Sequence, residues 1–380
     1  MEIGLVRQRY TPYGGAERFV ADALAALRRD DISLTLYTRA WPGGDDFSPV
    51  ICDPYFLGNV WRDWGFARCV RAAWIRHRPS LIQSHERIPG CDVFRAGDGV
   101  HRVWLEQRAR GMSQSRRLGL ALNPYHRYTL NAERRLFADP RLRAVICNSR
   151  LVRDQIQRLF GVPDEKLHVI YNAVDSSRFA PSLRIGGVAV RTGLELPAAA
   201  TVFALIGSGY HRKGVAQALA ALARLPESCW LLVVGKDKRE AQYRALALRL
   251  GVAQRVRFAG PRDDVAPLLG AADVFVLPTL YDPLPNACLE AMAAGLPVIT
   301  SDQCGVAELV TAHRAGMVCD AQDVGALAAA MTQLLDPVLR ADVGARARQA
   351  VLPLTAEAMA AQLIALYRSL LGLEGPTRTL

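Results

Sequence analysis

The feature that most constrains this 380-residue chain is a repeated alternation of short apolar runs with amphipathic helical stretches. Such runs, bounded by turn residues, are typical of buried strands, and their alternation with helices predicts parallel-sheet α/β domains. In the first half, the strand candidates are EIGLVRQ, ISLTLYT, SLIQSH, RAVICNS and LHVIYN, and AERFVADALAALRRD is the first helix. The second half restarts the pattern with TVFALIGS, CWLLVVG, RVRFAG, DVFVLP and LPVITS.

A segment rich in turn formers, residues 175–198, interrupts this alternation, and we place a domain boundary there. We expect a first domain over residues 1–180 and a second over 181–354. A final helix and tail over 355–380 are expected to return to the first domain. Ligands bind beyond the carboxyl ends of strands in such sheets, so two doubly wound domains that face each other would share one cleft.

The net charge of +11 is uneven: residues 1–180 hold 28 basic and 19 acidic side chains (+9), against 19 and 17 (+2) in the remainder. The basic half is expected to face an acidic partner, either a membrane, a phosphorylated acceptor or a nucleic acid. Because no recognised nucleic-acid motif accompanies the charge, we expect no nucleic-acid partner. The apolar runs are too short for a signal peptide or a membrane span, which predicts a cytoplasmic protein that touches a membrane without crossing it.

The eight cysteines form no C-x-x-C pair and accompany no histidine cluster. This pattern disfavours a zinc site, so we expect no metal and reduced cysteines that lie mostly in the core.

Two glycine-containing segments follow predicted strands. Gly14 and Gly15 lie between the first strand and the first helix, where paired glycines let the backbone approach an anion, although a tight turn explains them equally well. In Gly207-Ser-Gly-Tyr-His-Arg-Lys-Gly214, Arg212 stands where a dinucleotide fingerprint needs glycine. Adjacent Arg212 and Lys213 suit a diphosphate instead, because arginine offers a planar fork and lysine a point charge.

The strongest motif is Asp282-Pro-Leu-Pro-Asn-Ala-Cys-Leu-Glu290. Pro285 is placed to open a helix, which leaves Asp282 in the preceding loop and Glu290 about five residues into the helix. The amides around Asn286 and Ala287 would point at a ligand, and a carboxylate there can bind vicinal hydroxyl groups. Arg262, after the RVRFAG strand, has room to reach a nucleotide base; a structural salt bridge with a neighbouring aspartate is an equal alternative.

These motifs together resemble the retaining GT-B glycosyltransferases of family 4, through the GGAER loop, the RKG turn, the two acids and the EAMAAGLPVI run. The resemblance spans nearly the whole chain. The Pro89-Gly-Cys-Asp-Val93 segment and Ala96-Gly-Asp98 make the chain similar to the bacterial lipopolysaccharide-core glucosyltransferases within that family.

The resemblance implies two Rossmann-like domains and a role for each matching residue. Arg212 and Lys213 bind the donor diphosphate and stabilise the leaving group, Glu290 holds the ribose, and Asp282 takes the hydroxyl groups of the donor sugar. The remaining implied positions are Gly14 and Gly15 at the diphosphate and Asp98 near the transferred sugar. The family usually has glutamate at the position of Asp282, which leaves the donor sugar open; UDP-glucose is expected.

The chemistry fits this set of residues, because fixed positive charge at the diphosphate stabilises the transition state directly. With no aspartate-rich motif, Arg212 and Lys213 replace a divalent cation, so no cofactor is expected. Retention can use front-face attack or a covalent intermediate. An epimerase or phosphorylase with the same cleft is the enzyme alternative, and a non-catalytic nucleotide-sugar-binding protein is the alternative of another class.

An arginine-rich segment runs from Val100 to Phe137 and holds eight arginines against two glutamates, interleaved with aromatic and leucine residues. Such a composition suits an anionic membrane surface beside a glycolipid or oligosaccharide acceptor. The alternative is that the apolar residues pack on the first domain and the arginines are merely solvated. The residues expected on the membrane and acceptor side are Arg108, Arg110, Arg116 and Arg117.

Overall fold

The computed structural model describes residues 2–9, 33–40 and 49–373. It divides into two compact units: Met1–Asn172 together with Ala356–Leu380, and Ala173–Thr355. The helix predicted over residues 16–30, with Gly14 and Gly15 before it, lies outside the described residues.

The described part of the first unit is built on a seven-stranded parallel sheet with the order β3-β2-β1-β4-β5-β6-β7. The second unit has a six-stranded parallel sheet with the order β10-β9-β8-β11-β12-β13. The strands are β1 (Glu2–Val6), β2 (Ser33–Thr38), β3 (Val50–Ile51), β4 (Leu81–Ser84), β5 (Val93–Arg95), β6 (Ala144–Cys147), β7 (Leu167–Val169), β8 (Thr201–Ile206), β9 (Cys229–Val234), β10 (Val256–Gly260), β11 (Val274–Leu277), β12 (Val298–Ser301) and β13 (Gly316–Cys319).

Helices connect these strands. They are α1 (Gly58–His77), α2 (His101–Ala109), α3 (Gln114–Leu122), α4 (Pro124–Phe137), α5 (Arg150–Phe160), α6 (Leu183–Gly193), α7 (Tyr210–Lys213), α8 (Val215–Leu222), α9 (Glu240–Arg249), α10 (Ala266–Gly270), α11 (Asn286–Ala293), α12 (Ala307–His313), α13 (Val324–Gln333), α14 (Pro337–Val351) and α15 (Ala356–Leu370).

The apolar runs form the strands because parallel sheets are covered on both faces and need continuous apolar sequence. Every residue of Ala144–Cys147 and of Val274–Leu277 is buried. All ten predicted strands are present, and the structure adds three short ones, β3, β5 and β13. Strand β5 escapes sequence analysis because it is three residues long and ends in Arg95, which is buried nonetheless.

Helix α6 corrects the interpretation of residues 175–198 as turn-rich throughout. Gly186 and Gly187 suggest a turn in the sequence, but they lie inside this helix. A Cβ atom on Gly187 would lie 2.1 Å from the carbonyl oxygen of Gly270. Gly187 therefore permits close packing of α6 against α10, where any larger side chain would collide with backbone.

Cysteine pairing corrects a second expectation. The structure joins Cys52 and Cys69 in a disulfide with their Cα atoms 5.6 Å apart, so the prediction of reduced cysteines is wrong for this pair. Their separation of 17 residues carries no motif, and only folding brings them together. The other six cysteines are free; five are buried and Cys319 is partly buried, as expected of core cysteine.

The C-terminal helix α15 belongs to the first unit. There the buried Tyr367 hydroxyl donates to Gln83 Oε1 at 2.6 Å. Within the described residues, one run, Pro337–Leu370, is long and apolar enough to cross a membrane by length and composition, a test that core helices also pass. It consists of two helices, α14 and α15, which belong to different compact units.

Candidate active site

The predicted donor residues of the second unit gather at the switch point of its sheet. Strands β9 and β10 lie on one side of β8, and β11 to β13 lie on the other, so the direction in which the sheet is built reverses between β8 and β11. In such sheets ligands bind at this point, beyond the carboxyl ends of the strands. Arg212 and Lys213 follow β8, and Asp282 follows β11, the neighbour of β8. The topology therefore brings the two motifs together, although they lie about 70 residues apart in sequence.

Two glycines shape the segment that presents Arg212 and Lys213, which are the last two residues of the one-turn helix α7. Gly214 ends α7 with a φ of 77°, and a Cβ atom there would lie 2.0 Å from the carbonyl oxygen of Pro278. A Cβ on Gly207 would lie 2.7 Å from Lys213 Cε, so the absence of a side chain leaves room for the lysine chain. This segment thus directs Lys213 inward, with its side chain only 8% exposed.

Asp282 receives both cations on one oxygen. Lys213 Nζ donates to Asp282 Oδ2 at 2.6 Å, and Arg212 Nη1 donates to the same oxygen at 2.7 Å. The Asp282 and Lys213 side chains are 9% and 8% exposed, whereas Arg212 is 37% exposed. Three predicted site residues therefore form one cluster, with Arg212 on its open side.

The electrostatics of this cluster favour the ionised carboxylate. Burial by itself raises the pKa of Asp282, but the charges and hydrogen bonds of Lys213 and Arg212 outweigh it and hold that pKa below its ordinary value. Asp282 is therefore negative at neutral pH, and the cluster of two cations and one anion carries a net charge of +1.

Hydrogen bonds to backbone carbonyls hold helix α7 against the segments that follow β9 and β11. The Arg212 carbonyl accepts from the Leu280 amide at 2.8 Å and from Thr279 Oγ1 at 2.8 Å. The buried Tyr210 hydroxyl donates to the carbonyl oxygen of Gly235 at 3.1 Å. These bonds hold the cations in place before any ligand arrives, which is the condition for electrostatic stabilisation of a transition state.

The acid-containing motif folds as predicted. Pro285 precedes helix α11, Asp282 lies in the loop before it, and Glu290 is the fifth helical residue. Glu290 is 6% exposed. Asn286 and Glu290 are four residues apart and so share one face of the helix, and Ala287 lies beside them in the first turn. The ribose role of Glu290 stays a prediction.

The structure does not bring Arg262 into this cluster. Arg262 is exposed in the turn after β10, and within residues 49–373 it has no contact with Arg212, Lys213 or Asp282. In that turn Asp264 pairs with Arg178 at 2.8 Å. Contact of Arg262 with a nucleotide base stays a prediction.

Asp98 lies in the first unit, beyond the carboxyl end of β5. Its side chain is 60% exposed, and Asp98 Oδ2 lies 3.8 Å from Arg7 Nη1. Arg7 also lies 3.7 Å from Glu86, which follows β4. With Asp63, these two carboxylates line a cavity of about 140 Å³, which we call the acid cavity.

The buried pair Arg87–Glu133 was not predicted from the sequence. Arg87 Nε donates to Glu133 Oε1 at 3.1 Å, and Glu133 also accepts from the His101 amide at 2.8 Å. The Glu133 side chain thus links α4 to the start of α2. A signal was available, since Glu133 is one of only two acids among the eight arginines of its segment.

The arginines expected on the membrane side lie on or just after α2 and on α3. Arg108 is half-buried, and its Nη1 lies 3.5 Å from His126 Nε2. Arg110, Arg116 and Arg117 are exposed. In the part of the chain that the structure describes, no group of three or more His, Cys, Asp or Glu side chains could hold a metal ion.

Comparison with known proteins decides the family. The profile of "Glycosyltransferase Family 4" matches residues 13–178, and that of "Glycosyl transferases group 1" matches residues 200–337. The chain belongs to family 4 of the glycosyltransferases. It is a retaining hexosyltransferase that takes its sugar from a nucleotide sugar.

A curated relative agrees with this assignment, and two solved structures share the fold. The chain is 25% identical to the lipopolysaccharide glucosyltransferase WaaG of Escherichia coli K12 over 326 residues, which cover 84% of this chain and 85% of WaaG. The crystal structure of WaaG matches with a TM-score of 0.82 and 24% identity over 96% of this chain and 99% of that one. Anabaena HepE in complex with UDP-glucose matches with a TM-score of 0.73 and 21% identity, over 97% and 100% of the two chains. The predicted GT-B fold is confirmed.

Proposed function

We propose that this enzyme transfers glucose from UDP-glucose to a saccharide of the lipopolysaccharide core, at the cytoplasmic face of a membrane. The donor is supported by the family, by the glucosyltransferase WaaG and by the UDP-glucose complex of HepE. In the reaction, the bond from the glucose C1 to the diphosphate breaks and a bond from C1 to an acceptor oxygen forms. The acceptor hydroxyl releases its proton to the solvent, and UDP leaves with the electron pair of the broken bond.

The observation that supports this chemistry best is the cluster of Lys213, Arg212 and Asp282. Negative charge develops on the diphosphate as the bond to C1 breaks, and preorganised cations stabilise that charge. Lys213 is held rigidly by the buried Asp282 carboxylate. Arg212, on the open side, can present its remaining N–H groups to a diphosphate oxygen.

Asp282 therefore takes a role beyond the one its sequence position suggests. Its Oδ2 orients both cations, which leaves Oδ1 for a hydroxyl group of the donor sugar. Glutamate, the usual residue here, would reach about one methylene further. Glu290, buried on α11, binds the ribose hydroxyl groups of the nucleotide in this proposal.

The donor proposal predicts selective thermal stabilisation. UDP-glucose at about 100 times its Kd is expected to stabilise the protein by about 2.7 kcal/mol and to raise Tm by about 5 °C or more. ADP-glucose, GDP-mannose and UDP-galactose should give smaller shifts at the same concentration. Glu290→Gln should reduce the shifts with UDP and with UDP-glucose alike, because both ligands carry the ribose.

The matched control for Glu290→Gln is Glu227→Gln, an exposed acid of the same unit, which should retain the full shift. Radiolabelled glucose should then pass from UDP-glucose to a lipopolysaccharide core that lacks its outer sugars. Stabilisation by another nucleotide sugar and none by UDP-glucose would contradict UDP-glucose as the donor. If radiolabelled UDP-glucose is supplied and the lipopolysaccharide core acquires no label, the proposed acceptor is contradicted.

The membrane part of the proposal is supported by helix α3. No residue of this helix is buried, and Leu118 and Leu122 are 61% and 59% exposed. Arg116 and Arg117 are exposed beside them. A helix that buries no apolar side chain in the protein gains its packing from an interface, where leucines enter the acyl region and arginines meet lipid phosphates.

Liposome co-sedimentation tests this attachment. Binding should require anionic lipid and fall steeply with salt, and Arg116→Glu/Arg117→Glu should weaken it at least about tenfold, since each basic residue contributes about 1 kcal/mol. The control Arg141→Glu/Arg158→Glu has the same net charge and alters exposed arginines elsewhere in the unit. Equal binding to neutral and anionic vesicles, or an equal loss in the control, would refute attachment through α3.

A further inference from the structure

A cavity of about 340 Å³ in the first unit is lined by four arginines of the described part of the chain, and we call it the arginine cavity. Helix α1 supplies Arg68 and Arg71, helix α4 supplies Arg135, and the turn after β4 supplies Arg87. Each helix lines the cavity with residues at i, i+3, i+4 and i+7, starting from Trp64 on α1 and Tyr128 on α4. On each helix these residues share one face, so one face of α1 and one face of α4 line the same cavity.

The charge of the arginine cavity is not neutralised by its walls. Among the residues that the structure describes, no carboxylate lines it. Arg87 is bound to Glu133 and donates to the Gly99 carbonyl at 2.8 Å. Across residues 2–9, 33–40 and 49–373, by contrast, no acid lies within ion-pair distance of Arg68, Arg71 or Arg135. Arg68, Arg71 and Arg135 are exposed, so water screens part of their mutual repulsion, and an anion held among them would be attracted by all three charges at once.

The turn Pro89-Gly90 helps to place one of these cations. Gly90 has a φ of 96°, and a Cβ atom on it would lie 3.9 Å from Nε and Nη2 of Arg71. The Arg71 guanidinium therefore lies over the turn. Arg68 lies over the Trp64 ring with 5.6 Å to its centroid, which limits its freedom before a ligand binds.

The arginine cavity adjoins the acid cavity. Both are lined by Arg87, Ile88 and Tyr128. One space offers guanidinium groups, which match the oxygens of a phosphate. The other is lined by the carboxylates of Asp63, Glu86 and Asp98, which can accept hydrogen bonds from hydroxyl groups. Asp63 and Glu86 already accept hydrogen bonds from protein groups, so Asp98, 60% exposed, is the most open of the three.

We propose that the arginine cavity binds the phosphate monoester of a phosphorylated saccharide whose hydroxyl groups occupy the acid cavity. A dianionic phosphate supplies the counter-charge that Arg68, Arg71 and Arg135 lack, and a polyhydroxyl ring suits the carboxylates beside it. This saccharide is the acceptor of the reaction, an identification that rests on the proposed function. Binding of the phosphorylated saccharide does not require that the enzyme transfers glucose to it.

Calorimetry with glucose 6-phosphate as the probe tests the site, with glucose, inorganic phosphate and glycerol 3-phosphate as comparisons. Glucose 6-phosphate should bind more tightly than all three, because it alone has both phosphate and ring. In Arg68→Ala/Arg71→Ala/Arg135→Ala, affinity should fall by at least about tenfold for each arginine that bonds the phosphate. All three side chains are attached to helix surfaces, so the variant should fold.

The control Arg76→Ala/Arg141→Ala/Arg158→Ala removes the same charge from exposed positions outside the cavity and should bind like the wild type. Three results would overturn the proposal: no binding of glucose 6-phosphate, an equal loss in the two triple variants, or glycerol 3-phosphate binding as tightly as glucose 6-phosphate. The last would indicate a lipid headgroup as the source of the phosphate.

The same triple variant separates this proposal from the proposed function. UDP-glucose should still raise its Tm as in the wild type, because the donor residues lie in the second unit. Loss of glucose 6-phosphate binding with intact UDP-glucose binding supports the cavity. If UDP-glucose does not stabilise the wild type, the proposal that UDP-glucose is the donor is contradicted. The binding of glucose 6-phosphate would still test the proposal for the arginine cavity.

Discussion

Lys213→Ala is expected to lower kcat by about 30- to 1000-fold, a loss of ~2–4 kcal/mol, with a much smaller change in the KM for the donor. Lys213 is buried and held by Asp282 before substrate arrives, so its charge acts most strongly when the diphosphate becomes most negative. Steady-state kinetics with varied UDP-glucose separate the two parameters. Arg212→Ala should follow the same pattern with a smaller loss, since Arg212 is 37% exposed and water screens its charge.

The matched control is Lys238→Ala, which removes an exposed lysine of the same unit and should leave kcat within about twofold. Near-normal turnover in Arg212→Ala/Lys213→Ala would contradict the role of both residues. A rise in KM with unchanged kcat would show instead that the two cations bind ground state and transition state equally.

Asp282→Ala is expected to destabilise the second unit by ~3–5 kcal/mol, because it leaves the buried Lys213 ammonium without its anion. The pair is 8% and 9% exposed, so water cannot replace the lost carboxylate. Urea titrations followed by hydrogen exchange of peptides from β8 and β11 measure this loss in the unit concerned. The exposed Asp263 provides the control, and Asp263→Ala should stay within about 0.5 kcal/mol of the wild type.

The double variant Asp282→Ala/Lys213→Met tests the cause. Removing the buried ammonium together with its partner should recover most of the lost stability, because a methionine side chain can fill the space without a charge. Its activity should remain low. A single variant that loses less than about 1 kcal/mol, or a double variant no more stable than the single one, would refute the account of a buried pair.

The strands were readable from the sequence because buried parallel strands need continuous apolar runs. CWLLVV and VFVL form β9 and β11, and each is followed by a residue that disfavours a continued strand, Gly235 in the first case and Pro278 in the second. The exceptions have physical reasons. Arg95 ends a buried strand while its Nη2 donates to Asn172 Oδ1 at 2.7 Å, a partner 77 residues away that local sequence does not reveal.

The glycines show the limit of local interpretation. In the sequence, Gly214 and Gly187 each look like a residue of a turn. In the structure, Gly214 ends helix α7 with a positive φ, whereas Gly187 lies inside helix α6. What distinguishes them is the neighbour that a Cβ atom would meet, Pro278 in one case and Gly270 in the other. Those neighbours belong to other elements, so the sequence around each glycine holds no sign of them.

The site residues divide in the same way. Residue type and spacing determined that Arg212 and Lys213 would lie just before a helix and that Glu290 would lie inside one, because turns and helix starts are local properties. The structure places both cations at the end of the one-turn helix α7 and not in a loop. Only the tertiary structure decided that Asp282 is shared by both cations, since the contact requires β8 and β11 to be neighbours at the sheet's switch point.

The first unit makes the same division for charge. Counting residues established an excess of arginines before residue 180 and a dense segment from Val100 to Phe137. The count did not show which of these arginines have an acidic partner. Arg87 bonds Glu133, whereas the other three arginines that line the arginine cavity have no such partner in the described residues. The physical reason is that charge belongs to each residue, whereas neutralisation depends on distance, and folding alone sets the distances between α1, α4 and the turn after β4.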